Sequence, residues 1–301
     1  MLGKTLLVVN PAARHGVTRE LLPVIRSLLD RQLDYDLVVT DRPGHAIEAA
    51  ATAHGYHAVV AVGGDGTVNE VLNGLMRIAR EDRPALALLP TGSGNDYRRT
   101  LGISTELAAS VRQLIGGVRE SRDVGLVNET YFANSVAIGL DARVTAKAIE
   151  LKATTGWSGL ALYLRALLSI LLRSYHSHQL RVSLDGGPAV DRDVLAVVAT
   201  NGPTYGGGFW ITPDARPDDG VLDTCVIDRV SLPGALVRLP FVVVGRHGWM
   251  RPVTLERHTS LRIESQLPVE SQIDGEVTLA STYDISILPG GLDVIVPGRC
   301  R

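Results

Sequence analysis

Short runs of aliphatic residues recur along the first 120 or so positions, each followed by a stretch with helical spacing. Thr5 to Val9, Tyr35 to Thr40, Ala58 to Val62 and Ala85 to Leu89 have the length and character of buried strands. Between them, Glu20 to Leu33 places Leu21, Ile25, Leu28 and Leu29 on one face, and Ala46 to His54 is alanine-rich. Asn69 to Arg80 carries Val71, Leu72, Leu75, Met76 and Ile78 at helical spacing, and Thr105 to Leu114 closes the series. Strands alternating with helices predict βαβ units, right-handed crossovers and a parallel sheet. Ligands bind such sheets outside the carboxyl ends of the strands. The loops at Asn10, Thr40, Gly63 to Thr67 and Pro90 to Asp96 are therefore expected to meet at one edge.

From about Ser121 the pattern changes to short Val- and Ile-rich runs separated by turn residues. Asp123 to Val127, Tyr131 to Ile138, Gln179 to Leu184, Val194 to Thr200, Leu222 to Ile227, Thr259 to Ile263, Val269 to Ile273 and Tyr283 to Leu288 predict a mostly antiparallel β domain. The expected division is 1–125 and 126–301, with the last residues free to return to the first domain. Two helical stretches interrupt the strands. Trp157 to Tyr175 has a broad leucine face, and Leu232 to Val244 leads into Gly245 to Arg251. From Arg238 to Arg262 there are five arginines and two histidines against the single acid Glu256, with Phe241 and Trp249 among them. A basic, aromatic-studded segment suits an anionic membrane surface. A core-packed helix with a charged rim accounts for either stretch as well.

Composition narrows the classes. A chain of 301 residues with 45% hydrophobic positions buries a sizeable core, and its net charge of −2 excludes a nucleic-acid binder by bulk electrostatics. Cys225 and Cys300 give neither a metal spacing nor a disulfide framework, which fits a reducing cytoplasm. The start reads as a strand, not a signal peptide, and no run of 18 uncharged apolar residues is present, so no membrane span is expected.

The chemistry concentrates where Ala58-Val59-Val60-Ala61-Val62 meets Gly63-Gly64-Asp65-Gly66-Thr67. A strand, a glycine turn and a helix start make a phosphate cradle, because glycines let the main chain approach closely and helix N–H groups attract anions. Asp65 is an anion where an anion should bind, which points to a bridging cation or to proton transfer. Pro90-Thr91-Gly92-Ser93-Gly94-Asn95-Asp96 adds a second loop of the same kind, and Asp123-Val124-Gly125 a further carboxylate. Asp65, Asp96 and Asp123 are candidates to share a hydrated Mg²⁺. A helix cap explains Asp96, and a turn explains Asp123, without any metal.

These segments, in order with Asn10-Pro11-Ala12-Ala13, Thr40, Gly44-His45-Ala46, Asn134, Gly139-Leu140-Asp141, Pro213-Asp214-Ala215, Asp219 to Asp223 and Gln272-Ile273-Asp274-Gly275-Glu276, resemble bacterial lipid kinases with a diacylglycerol kinase catalytic domain, relatives of sphingosine and ceramide kinases. The resemblance covers nearly the whole chain. It implies a Rossmann-like α/β nucleotide-binding domain, a C-terminal antiparallel β-sandwich, and transfer of the ATP γ-phosphate to a lipid hydroxyl between them. It implies ATP contacts at Asn10, Thr40, Gly63, Gly64, Asp65, Gly66, Thr67, Asn69, Gly92, Ser93 and Asn95. It further implies an Mg²⁺ and water network at Asp65, Asp96 and Asp123, and a structural Mg²⁺ at Asp219 with the carbonyls of Arg216 and Val221. Asp274, with Glu276 in the same motif, is the implied general base, and eukaryotic relatives point to Asp65 instead. The implied partner is a lipid at the inner face of the membrane, with diacylglycerol first among the acceptors; nucleic acid is not a partner, and a homodimer is compatible with the sequence.

Ser93 stands where the family usually has threonine, and Tyr97 replaces a frequent phenylalanine. An NAD kinase shares the glycine turn and the two-domain plan, and a catalytically silent binding protein is the alternative of a different class. The Gly-Ser-Gly-Asn-Asp loop and the Asp-Gly-Glu motif favour the lipid kinases. Asp65→Asn and Asp274→Asn are each expected to reduce turnover by at least about two orders of magnitude with the fold intact. Because the turn and Asp274 lie about two hundred residues apart, cleft closure is expected to be part of the reaction.

Overall fold

A computed structural model describes residues 3–298; Cys300 lies outside the described residues, as do Met1, Leu2, Arg299 and Arg301. The chain forms two compact units. One runs to Arg122 and resumes at Gly290, and the other spans Asp123–Pro289.

The first unit is built from β1 (Thr5–Val9), α1 (Val17–Leu29), β2 (Tyr35–Val39), α2 (His45–Ala51), β3 (Ala58–Gly63), α3 (Asp65–Leu75), β4 (Ala85–Pro90), α4 (Asp96–Thr100) and α5 (Leu107–Ile115). It also holds the start of β5 (Val118–Val127). β2, β1, β3 and β4 lie side by side with every pairing parallel, and Val294 near the chain end pairs with Leu86 of β4 in the same sense. Leu7, Val60 and Ala87 pack with Ile25 and Leu29 of α1 and Val111 and Leu114 of α5. Their neighbours Leu6, Val8, Val59 and Leu86 are also buried. Both faces of the sheet are covered, which is why these strands read as unbroken apolar runs.

The helix after the glycine turn begins at Asp65, not at Asn69 as the apolar spacing predicts, with Gly64 as its cap. A carboxylate in the first turn suits the positive end of the helix, so Asp65 has a structural reason beside any chemical one. α2 and α3 pack closely at Gly74, where a Cβ would lie 2.4 Å from the Ile47 carbonyl and 2.6 Å from Ala50 Cβ.

The second unit holds β6 (Thr130–Phe132), β7 (Ser135–Gly139), α6 (Leu140–Thr155), α7 (Gly159–Ser174), β8 (His178–Leu184), β9 (Val190–Thr200), β10 (Leu222–Asp228), α8 (Leu232–Val243), β11 (Val253–His258), β12 (Ser260–Ile273) and most of β13 (Glu276–Val296). Its pairings are antiparallel. The expected two-sheet sandwich is realised as one hydrogen-bonded sheet that turns back on itself. The long strands β9 and β12 each pair with β8 over one half and with β7 over the other. The concave side holds Phe132, Val136, Ile138, Val182, Val197, Tyr283 and Ile285. The alternate residues Ala137, Ala196, Val198 and Cys225 face the opposite way, against Val242 of α8 and Leu140 of α6.

Other elements also differ from the sequence pattern. α6 is missed because its few buried positions (Ala142, Val144, Thr145 and Ala148) form no long apolar stripe. β11 is missed because four of its six residues are polar, Glu256 and Arg257 being exposed. The runs 259–263 and 269–273 are one strand, β12, with an irregularity between Glu264 and Val269. Gly74→Ala is expected to lower stability by about 1–3 kcal/mol in urea unfolding, although alanine favours helix; wild-type stability would show that α2 and α3 can separate to admit the methyl group.

Candidate active site

Paired strand ends in the first unit create the candidate nucleotide site. Gly63 of β3 lies opposite Pro90 of β4, and its carbonyl accepts the Thr91 and Gly92 N–H groups, both at 2.9 Å. The two glycine turns touch main chain to main chain: a Cβ on Gly92 would lie 2.3 Å from Gly64 Cα. A Cβ on Gly63 would lie 2.3 Å from Thr67 Oγ1. The sequence cannot place side chains here, so the surface is lined by main chain and by the start of α3, whose first N–H groups have no partner within the helix.

Asn10 Nδ2 donates to Thr67 Oγ1 at 3.2 Å, which ties the β1 loop to the α3 start. Thr40 is buried, and its N–H bonds Val9 O at 2.8 Å, so the ends of β1 and β2 stay together. Asn95 adopts a left-handed conformation (φ 56°) and donates from Nδ2 to Gly92 O at 2.8 Å, bracing the second loop. Ser93 is half-buried in that loop, beside Gly92. Gly94 lies against Asp65, with an added Cβ 2.7 Å from Asp65 Oδ2. Asn69 is buried along α3 and accepts from Asn73 Nδ2 at 3.1 Å.

Glu70 belongs to the glycine motif, yet the sequence reading gives it no role. Its carboxylate accepts from Gly44 N and Ala46 N (3.1 and 3.2 Å), capping α2 from α3. Thr18 and Thr91, also unassigned by sequence, share a buried hydrogen bond of 2.6 Å beneath the second loop.

The expected three-aspartate metal network is not assembled as a set of direct ligands. Among the described residues no group of three or more His, Cys, Asp and Glu side chains gathers to hold an ion. Asp96 is the first residue of α4, one position inside the helix cap, and pairs with Arg99 Nη1 at 2.5 Å. Arg98, close to Asp65 and Asp96, is held below the usual guanidinium range by burial and by its neighbour Arg99, against the pull of the two carboxylates.

Asp123 lies in the second unit, where it organises the 213–223 loop. Its N–H donates to Pro217 O, its Oδ2 accepts from Gly220 N, and its carbonyl accepts from Asn201 Nδ2, all within 2.7–2.8 Å. Asp219 belongs to the same loop, with its Oδ1 accepting from Val221 N at 3.4 Å and its Oδ2 3.9 Å from Arg257 Nη1. Arg257 also meets Asp223 at 3.2 Å. Arg257 thus brings a guanidinium near Asp219, and Arg216 lines an open pocket with Asp214, Asp223 and Arg257.

Asp274 and Gly275 are the two turn residues between β12 and β13, and both have positive φ (46° and 93°), as a type I′ hairpin requires. The carboxylate folds back on the link between β6 and β7. Oδ2 accepts from Ala133 N at 2.7 Å, and Oδ1 accepts from Asn134 N and Ser135 N, each at 2.9 Å. Three of about four lone-pair sites are occupied by main chain. Glu276, two residues on, is exposed.

A polar pair in the second unit involves Asp141, which the sequence marks within Gly139-Leu140-Asp141 but to which it gives no role. Asp141 Oδ1 accepts from the Tyr205 hydroxyl at 2.7 Å, while its Oδ2 is enclosed without a hydrogen-bond partner. The available signal is Gly139, whose φ of 95° lets β7 turn directly into α6.

Comparison with known proteins agrees with this layout. Residues 4–127 match the family model "Diacylglycerol kinase catalytic domain", and residues 134–296 match "YegS C-terminal NAD kinase beta sandwich-like domain". The chain belongs to this family of bacterial lipid kinases. It is 30% identical to a YegS-like probable lipid kinase of Chromohalobacter salexigens, over 98% of this chain and 94% of that one. It is 29% identical to a diacylglycerol kinase of Mycobacterium tuberculosis over 98% and 96% of the two chains. A crystal structure of a diacylglycerol kinase from Bacillus anthracis superposes with a TM-score of 0.81 at 26% identity, covering 98% of this chain and 97% of that one. An NAD kinase from Archaeoglobus fulgidus, solved with ATP, shares the fold at a TM-score of 0.51 and 12% identity, covering 98% of this chain and 93% of that one.

The three bonds to Asp274 change the expectation that its amide leaves the fold intact. In Asp274→Asn an NH₂ group faces a main-chain N–H, and stability is expected to fall by about 1–3 kcal/mol in urea unfolding. An unchanged midpoint would show that the carboxylate does not hold the turn.

Proposed function

We propose that this chain is an ATP-dependent lipid kinase that transfers the γ-phosphate to a lipid hydroxyl at the inner face of a membrane, with diacylglycerol, giving phosphatidic acid, as the first acceptor to test. The observation that carries this reading is the side-chain-free contact of the Gly63–Gly64 turn with Gly92 beside the α3 N-terminus. Such a surface suits a triphosphate, whose charge meets main-chain N–H groups and a helix dipole.

Phosphoryl transfer is mainly positioning and charge neutralisation. In this reading the glycine turns hold the phosphates, and Asn10, Thr40, Ser93 and Asn95 set the shape of their rim. Asp65, at the helix start, fixes the orientation of the nucleotide. Mg²⁺ bound with the triphosphate would neutralise its charge, and Asp65 and Asp96 are the carboxylates of this unit that would hold it. Asp274 is the acceptor-side carboxylate. Its three main-chain bonds hold it in one orientation, as positioning of a hydroxyl acceptor requires.

Membrane contact falls to α8 and the loop after it. No residue of α8 is buried, and Val237, Phe241, Val244 and Trp249 are exposed, Trp249 to 76%. Phe241 and Trp249 meet edge to face at 6.2 Å, with Arg246 and Arg251 nearby in sequence. Exposed apolar and aromatic residues among arginines suit an anionic interface. Among the described residues, no single helix is long and apolar enough to cross a membrane.

With labelled ATP, diacylglycerol is expected to be phosphorylated and NAD is not; label on NAD alone would replace this reading with the nucleotide kinase one. Asp65→Asn is expected to lower turnover by roughly a hundredfold, and near wild-type turnover would remove Asp65 from the mechanism. Sedimentation with anionic liposomes is expected to weaken with salt and with Trp249→Ala. Binding indifferent to salt and lipid charge would argue against docking through this segment.

A further inference from the structure

On the outer side of the second unit's sheet, α6, α7 and α8 enclose a cavity of about 110 Å³ over Ala196, Val198 and Ile211. One water needs roughly 10–15 Å³ on the same measure, so the space suits a segment of chain. Its wall is almost wholly aliphatic and aromatic. The helix that covers it has apolar residues on both sides: Ala235, Leu239 and Val242 line the cavity, while Val237, Phe241 and Val244 face solvent. A hydrocarbon chain can therefore pass from a lipid surface to the cavity along one helix without crossing a polar layer.

The wall is polar at Asp141. Its Oδ1 is held by the Tyr205 hydroxyl, and its Oδ2 is enclosed and unpartnered. The Gln272 side chain also pulls on this carboxyl without reaching Oδ2 in hydrogen-bond geometry; its Nε2 donates to Ser135 Oγ at 3.4 Å and its Oε1 accepts from Gly275 N at 2.8 Å. A buried polar atom without a partner is costly, and a ligand atom can supply one.

Resting on the lipid-kinase reading above, we propose that this cavity takes one acyl chain of the acceptor and that Asp141 Oδ2 bonds the carbonyl oxygen joining that chain to the headgroup. The acceptor class is then an acyl lipid, not a polyprenol. A polyprenol's single oxygen is its hydroxyl, which must lie at the phosphate. Its hydrocarbon would fill the cavity and strand Asp141 Oδ2. An acyl lipid has a second oxygen to offer.

The carbonyl accepts only, so Asp141 must carry the proton. Burial pushes this carboxyl up to about 7, against the opposing pulls of Tyr205 and Gln272. Tyr163 from α7 and Arg238 from α8 line the same cavity, and Cys225 lies beside Tyr205 from β10. Below about pH 7 the neutral acid donates. As pH rises through that value the proton leaves and carbonyl recognition weakens.

The test compares a short-chain ester diacylglycerol with its dialkyl ether, which keeps the hydroxyl and chain length but has CH₂ in place of the carbonyl. The ether is expected to show a KM roughly tenfold higher at pH 6.5 with kcat within about twofold. Asp141→Leu is expected to bring the two KM values within about twofold, by weakening the ester. Asp141→Asn retains a donor, so the preference is expected to persist, and its KM to lose the rise with pH seen in wild type. Ala235→Phe, from the opposite wall, is expected to raise KM for both lipids if a chain occupies the space. Equal KM values for ester and ether in an active enzyme, or a preference that survives Asp141→Leu, overturns the assignment. Calorimetry of the same pair without ATP separates the two claims: an ester preference lost in Asp141→Leu, in a protein that phosphorylates neither lipid, keeps the cavity assignment and sinks the kinase reading.

Discussion

The contact between two side-chain-free stretches of main chain sets the terms for the first unit. Gly64 and Gly92 approach so closely that a Cβ on Gly92 would lie 2.3 Å from Gly64 Cα, and the Gly63 carbonyl holds the start of the second loop through Thr91 N and Gly92 N. Adjacent parallel strands bring the two turns together, and the burial of β3 and β4 beneath makes their spacing rigid. A lining without side chains leaves N–H groups and a helix start to define the ligand. Asp65 fits that arrangement first as a helix-start carboxylate, which is why one acid is tolerated on a surface otherwise suited to anions.

In the second unit a carboxylate does the joining. Asp274 holds the β6–β7 link from a hairpin two residues long, and Asp123 holds the 213–223 loop in the same way. Each couples segments far apart in sequence through main-chain N–H groups, so each is structural before it is anything else.

Much of this was legible in the residues. Continuous apolar runs announced β1, β3 and β4, and the glycine turns between strands and helices marked the cradle. Helix edges were less legible, since Asp65 and Gly66 lack apolar character although they form the first turn of α3. α6 was hidden because its contacts use alanine, valine and threonine instead of a leucine stripe. The anchoring of Asp274 and Asp123 was unreadable, because their partners are main-chain groups, which no residue type reports. The pairing of Asp141 with Tyr205, 64 positions apart, depends on the route the chain takes around α6 and α7. Pattern carries burial and period; it does not carry which distant N–H or hydroxyl a carboxylate will find.

A helix with no buried residue is under little obligation to the fold. Most positions of α8 can change without disturbing the sheet beneath, yet one side borders the cavity and the other borders solvent. Descendants of such a chain can drift in the length or shape of hydrocarbon they accept, or in the surface they visit, while the glycine cradle and its sheet stay as they are. Divergence of lipid preference on a constant phosphate-handling frame would then be concentrated in about a dozen residues of one helix.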